Sequence, residues 1–213
     1  MPTKSSNRPR LENGDRLTRE EFHRRYCRRP DIKKAELIEG LVYVASPVGF
    51  DTHGEPQFAI VGWLFHYRAR HPEVRGGDNA TVLLDDSNEV QPDACLWHEA
   101  PGGPRLTADH YVEGPPQLVV EVAASSARRD LGPRREAYRR NGIQEYILWR
   151  VLEQDLAWFG LENGEYVRLE PDADGVIESI EFPGLRLNVA KLLAGDPAGL
   201  LEDLNSTGTN AVS

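Results

Sequence analysis

The stretch that most constrains this 213-residue chain is PQLVVEVAASS, residues 116–126, where one glutamate interrupts an apolar run. Leu118, Val119, Val120, Val122 and Ala123 read as a core strand buried on both faces, bounded by Pro115-Pro116 and by two serines. Glu121 sits in its middle. A carboxylate there loses its water, at a cost of several kcal/mol unless something pairs with it. The fold must bring Glu121 a partner.

A second acid is placed in the same way. Asp93 lies in VQPDACLW, preceded by Pro92 and followed by Ala94, Cys95, Leu96 and Trp97. One such residue is readily explained as a core ion pair or a strand-end cap. Two on sequential strands of one sheet would repel, and one pKa would rise sharply unless a cation lay between them. A hard divalent ion resolves that conflict, because Mg²⁺ takes one or two carboxylates together with waters and substrate phosphate. Such an ion can generate hydroxide-like water and stabilise charge on a phosphodiester oxygen, and that chemistry needs acids fixed on rigid strands.

Charge bears on the partner. The net charge of −9 argues against nucleic acid at first sight, but residues 1–150 hold 22 Lys+Arg and 22 Asp+Glu, a balance of zero. The excess lies in residues 151–204, with 3 basic against 12 acidic residues. Residues 119–142 carry Arg128, Arg129, Arg134, Arg135, Arg139 and Arg140, and a second basic run spans Arg16 to Lys34. Both runs read first as solvated helix faces and permit a phosphate-facing surface.

The remaining chain reads as one domain over residues 15–204, with a disordered polar leader over 1–14 and a polar tail over 205–213. No apolar run is long enough to span a membrane, and no secretory signal is visible, so a cytoplasmic protein is expected. Cys27 and Cys95 are expected as free or buried thiols. LTREEFHRRYCRR starts a helix with Thr18 and Glu21 as capping box, and AELIEGLVYVAS is a hairpin about Glu39-Gly40. A helix over about His53–His71 shows Phe58, Val61, Leu64, Phe65 and Arg68 at helical spacing. Strands follow at Ala80–Leu84 and Gln91–Trp97, then a Gly/Pro-rich loop, the Glu121 strand, a helix over about Leu131–Asn141 and the strand QEYILWRV. Asn163-Gly164 marks a further hairpin, VIESIEFPGLRLNV adds short strands, and a helix covers Pro197–Leu204.

QPDACLWHEA and YVEGPPQLVVEVAASSARRDLGPRREAYRRNGIQEYILW together resemble the Uma-type restriction-endonuclease-like family of the PD-(D/E)XK nuclease superfamily. The resemblance extends through LTREEF, AELIEGLVYVASPV, the THG before the first core helix, DNATVLLDD and FPGLRLNVAKLL, covering about residues 16–204. It implies an α/β (α+β) fold: a restriction-endonuclease-like core, a mixed central sheet flanked by helices, with added N-terminal and C-terminal hairpins. It implies that Asp93 and Glu121 are the motif acids holding Mg²⁺ or Mn²⁺, with the Val122 carbonyl as a further ligand.

The superfamily lysine, two residues after the glutamate, is replaced here by Ala123. Uma-type members carry a lysine one turn before the helix tyrosine instead; the tyrosine matches Tyr138 and the lysine position is Arg134. Arginine keeps the charge and can grip phosphate, but it cannot serve as a general base. His53 matches a family position near the metal water or a phosphate, and Glu36 and Glu39 fall on supporting positions. The other histidines show no ligand spacing, and Trp63, Trp97, Trp149 and Trp158 read as core.

The function implied is a Mg-dependent endonuclease cleaving DNA, and cutting both strands points to a homodimer. The alternative is a nuclease-fold protein without catalysis that binds nucleic acid or a protein partner. A two-carboxylate glycosidase is disfavoured, because both acids sit in core strands rather than across a sugar cleft.

Overall fold

The computed structural model describes residues 9–124 and 130–205. The first half runs α1 (Arg19–Tyr26), β1 (Ala35–Ile38), β2 (Leu41–Val44), α2 (Glu55–Arg68), β3 (Val74–Gly77), β4 (Val82–Asp85), β5 (Asn88–Val90), β6 (Ala94–His98), β7 (Arg105–Leu106) and β8 (Val112–Glu113). The second half runs β9 (Leu118–Ala123), α3 (Arg135–Arg140), β10 (Glu145–Arg150), β11 (Asp155–Glu162), β12 (Glu165–Arg168), β13 (Val176–Glu178), β14 (Arg186–Asn188), α4 (Val189–Leu193) and α5 (Pro197–Asn205).

β1 and β2 form the expected hairpin because Glu39 and Gly40 both take positive φ, 53° and 72°, which matches the twist of a two-residue turn. β1 then sorts its side chains by the strand period. Ala35 and Leu37 join Phe22 of α1, while Ile38 joins the core on the opposite face. Lys34 and Glu36 share the parity of Ile38. α1 begins as its sequence predicts, with Thr18 Oγ1 accepting from the Glu21 amide at 3.3 Å. The expected leader is shorter than its composition suggests: Leu11 is buried in the α1 cluster, and the Gly14 amide donates to Val42. Residues 1–8 of that leader and 206–213 of the expected tail lie outside the described residues.

Among the described residues the strands form two six-stranded sheets, β2-β1-β5-β4-β8-β7 and β12-β11-β10-β9-β6-β3, and the hairpin β13-β14. Both large sheets are mixed, with β4 parallel to β8 in the first and β9 parallel to β10 in the second. One central sheet with added hairpins was expected. The N-terminal hairpin is instead part of a full sheet, joined to it through β1 and β5. Of the four strands that complete it, β4 was expected, whereas β5, β7 and β8 have only two or three residues, too few to show a period. β3 was likewise unforeseen, because two of its four residues are Gly76 and Gly77, which have no side chains to show a strand period.

The second sheet is buried on both faces. Leu118, Val120, Val122, Ala94 and Leu96 face α2 and the C-terminal elements. Val119, Ala123, Cys95 and Trp97 face α3 and the first sheet. Neither cysteine is in a disulfide; Cys27 is exposed and Cys95 buried. All four tryptophans are buried as expected.

α2 differs from its predicted face. It is apolar around most of its circumference, so periodicity cannot select the buried side. The core takes Ile60, Trp63, Leu64 and Tyr67. Trp63 Nε1 donates to the Arg186 carbonyl at 2.9 Å and Tyr67 Oη to that of Pro183 at 3.1 Å, which fixes this orientation. Phe58 and Phe65 are 79% and 64% exposed. The regular helix begins only at Glu55, after a wide turn over Phe50–Gly54 that carries His53. α3 is similarly shortened, since Gly132 and Pro133 keep Asp130–Arg134 irregular.

Candidate active site

The β6–β9 register answers the question posed by Glu121. Ala94 pairs with Val120 and Cys95 with Val119, so one further step sets Asp93 opposite Glu121. Asp93 shares the parity of Cys95 and Trp97, and Glu121 that of Val119 and Ala123, so both acids point between the two sheets. The ladder ends there, and side chains satisfy the backbone beyond it. The Val122 amide donates to Asp93 Oδ2 at 2.8 Å, and its carbonyl accepts from His53 Nδ1 at 2.8 Å.

Cations from two different elements meet the acids. Arg134, at the entrance to α3, donates to Glu121 Oε1 at 2.6 Å and forms a fork with Glu36, at 2.9 Å to Oε1 and 2.7 Å to Oε2. Tyr138 lies one turn on, and its hydroxyl donates to the same Glu121 oxygen at 2.6 Å. Burial opposes ionisation of Glu36, but Arg134 and Lys34 outweigh it and hold the carboxyl below its ordinary value. Burial, with Glu121 beside it, pushes the Tyr138 phenol well above its ordinary value, so it remains a donor.

Lys34 enters from the start of β1. Its Nζ donates to Asp93 Oδ1 at 2.9 Å and to Asn79 Oδ1 at 3.3 Å. Burial would lower its pKa, but Asp93, Glu36 and Glu121 reverse that and raise it, so the side chain stays an ammonium. His53 Nε2 lies 3.6 Å from Asp93 Oδ1, and Gln57 Nε2 donates to the Asp93 carbonyl at 3.1 Å.

Every residue expected at the site is therefore in one cluster: His53, Asp93, Glu121, Val122 and Arg134. Arg134 is 2% exposed and bound by two carboxylates. Glu39 stands apart, accepting from Asn88 and Arg140. Arg128 and Arg129 lie outside the described residues. Lys34 was missed, although the alternation of KKAELI places residues 34, 36 and 38 on one face and so contains the signal.

The cluster has three carboxylates (Glu36, Asp93, Glu121) against two cations (Lys34, Arg134), which leaves one unit of negative charge among the described residues. No group of three or more His, Cys, Asp or Glu side chains among them is arranged to hold a metal ion by itself. Two carboxylates and a backbone carbonyl are nonetheless an all-oxygen donor set that suits Mg²⁺ or Mn²⁺, which keep waters as their other ligands.

A mixed sheet flanked by helices, with an aspartate and a glutamate on neighbouring strands, defines a restriction-endonuclease-like fold. The sequence matches the model of the Uma2 family, described as "Putative restriction endonuclease", over residues 19–190, and the chain belongs to that family. Its structure is similar to the crystal structure of "a putative nuclease belonging to DUF820" from Anabaena variabilis, with a TM-score of 0.57 and 15% identity over 75% of this chain and 89% of that one. At that identity the likeness is one of fold. No curated protein matches the sequence. Among the described residues no helix is long and apolar enough to cross a membrane.

Proposed function

We propose that this protein is a Mg²⁺- or Mn²⁺-dependent endonuclease that hydrolyses DNA phosphodiester bonds. The observation that carries this reading is the cross-strand pair Asp93 and Glu121, set opposite each other between the two sheets beside a lysine ammonium. Asp93, Glu121 and the Val122 carbonyl would hold the ion. Bound there, it would supply an activated water and stabilise charge on a phosphodiester oxygen.

The chain's own groups do the rest. The Val122 amide and Lys34 fix the two oxygens of Asp93. Arg134 and Tyr138 fix Glu121, so Arg134 acts as a positioning group rather than a grip on phosphate. His53 orients the Val122 carbonyl through Nδ1. The Lys34 side chain is 26% exposed and its ammonium sits on Asp93, so among the described residues it is the cation placed to meet a phosphate oxygen there, in place of the lysine absent at Ala123.

The test is nicking of supercoiled plasmid with Mg²⁺, Mn²⁺ or EDTA. The parent should nick only with metal. Lys34→Ala should nick about 10²-fold or more slowly, as for loss of one electrostatic stabiliser. It should also bind metal more tightly, because Asp93 loses its competing cation. A Lys34→Ala variant that nicks like the parent would remove Lys34 from the chemistry.

One observation favours a second reading, a nuclease fold that binds without cutting. Asp93 and Glu121 are 2% and 4% exposed, and Arg134 already engages Glu121. Metal-dependent DNA binding without nicking would establish it.

A further inference from the structure

α1 and β5 hold a second cluster of reactive side chains, on the face of the first sheet turned away from the acids. Glu89 of β5 pairs with Leu37 of β1 and shares its side, where Leu37 joins Phe22 of α1. The Glu89 side chain is 1% exposed, and its two carboxylate oxygens meet His23 Nδ1 at 2.9 and 3.0 Å. Burial pushes the Glu89 carboxyl up, and the hydrogen bond from His23 is the largest influence against it. One turn along α1 from His23 is Cys27, which caps the helix and is exposed. Its Sγ lies 3.5 Å from His23 Nε2 and 3.8 Å from Tyr111 Oη. The Tyr111 ring meets the His23 ring edge-on, with centroids 5.0 Å apart, and so helps to hold the imidazole in place.

We propose that Cys27 is a modification site for small-molecule disulfides, with His23 as its base and Glu89 as the group that orients His23. Thiol, imidazole and carboxylate stand in the order of an activated nucleophile. A carboxylate only accepts, so the ring proton sits on Nδ1 and the Nε2 lone pair faces the sulfur. His23 takes the thiol proton, and the Cys27 sulfur attacks one sulfur of the disulfide. A bond forms between Cys27 and that half, and the S–S bond of the reagent breaks. The other half leaves with the electron pair, takes the proton from His23 and departs as a thiol. Cys27 is oxidised and the departing half is reduced, so the exchange needs no other reagent. Chiefly its bond to Cys27 pushes the Tyr111 phenol up, so that hydroxyl stays a donor to the sulfur. Cys95, the other cysteine, cannot resolve the product. It is buried in the second sheet, and burial pushes its thiol up to about 12. The mixed disulfide on Cys27 therefore persists until an outside thiol removes it.

The modification does not depend on what the site between the sheets cleaves. Dithiobis(nitrobenzoate), a disulfide whose released thiol is coloured, tests it on the folded full chain. One thiol should react, and Cys27→Ser should abolish the reaction. The rate should exceed that of Cys27 in the urea-unfolded Cys95→Ser chain by about ten-fold or more, as for a thiol beside a positioned base. His23→Gln should remove that advantage and Glu89→Gln most of it, each measured well below the melting temperature of the variant. Nitrogen NMR should place the proton of the neutral His23 ring on Nδ1 in the parent, a preference lost in Glu89→Gln that packing alone would not set. Glutathione disulfide should add one mixed disulfide to the parent, seen by mass, and dithiothreitol should remove it. Equal rates in the folded and unfolded chains, or no adduct with glutathione disulfide, would overturn the proposal. So would a reaction that persists in Cys27→Ser, or a ring protonated on Nε2. A His23→Gln chain that melts lower yet reacts like the parent would also overturn it, by leaving His23 and Glu89 as a buried ion pair and nothing more.

Discussion

Arg134→Ala should lower the stability of the folded chain by about 3–5 kcal/mol, the typical cost of removing one partner from a buried ion pair. For a chain of this size that is a fall in melting temperature on the order of 10 °C. The cause is specific. Glu36 and Glu121, 5% and 4% exposed, both lose the guanidinium that neutralises them, and neither can move to water. Arg134→Lys should fall in between, since an ammonium replaces the charge but not the fork to Glu36. The pH dependence has a definite sign. In the parent the Glu36 carboxyl is held below its ordinary value, so its contribution is complete above about pH 4.3, the unfolded value, and is lost as pH falls through the folded one. In the alanine variant burial dominates and raises that carboxyl, so acid relieves its cost. The gap between parent and variant should therefore narrow from pH 7 towards pH 4 in paired thermal melts. A gap that is constant or widens would mean that Arg134 stabilises the fold by packing alone.

Glu121 and Asp93 were legible in the sequence because each violates the rule of its own strand, a charge within an apolar run. Their meeting follows from strand parity once β6 and β9 are neighbours. His53 and Arg134 were legible through family resemblance, as positions, and the role of Arg134 was not. What it does depends on Glu36, 98 residues away, on a strand whose face is set by a turn at Glu39-Gly40. Lys34 was hidden for the same reason. A lysine at the start of a strand reads as solvated, and its acid lies 59 residues on. The division into two sheets was illegible because strands of two or three residues carry no period. The orientation of α2 was illegible because a helix apolar on both sides has no preferred face until Trp63 and Tyr67 find their carbonyls.

Asp93→Asn tests the metal site most directly, because asparagine keeps the shape and the oxygen that the Val122 amide needs while it removes the charge and turns an NH2 group towards Lys34 in place of an acceptor. The cluster then loses one of its three described carboxylate charges. Without metal, the variant should melt below the parent: the pair it loses joins the 3%-exposed Asp93 to the 26%-exposed Lys34, so the cost lies between the about 0–1 kcal/mol of an exposed pair and the about 3–5 kcal/mol of a buried one. With Mg²⁺ or Mn²⁺ at 100 times the dissociation constant, the parent should gain about 2.7 kcal/mol and the variant nothing. Nicking should fall by about 10²–10³-fold or more, as for other single groups that act on charge in the transition state. The two readouts separate the possibilities. Equal metal-dependent gains in both proteins would place the ion away from Asp93. A gain confined to the parent, with no nicking by either protein, would leave the acids as a metal site and make this chain a binding member of its family. Loss of both together is the expected result, since it is the charge of Asp93, not its place in the strand, that the arrangement with Glu121 preserves.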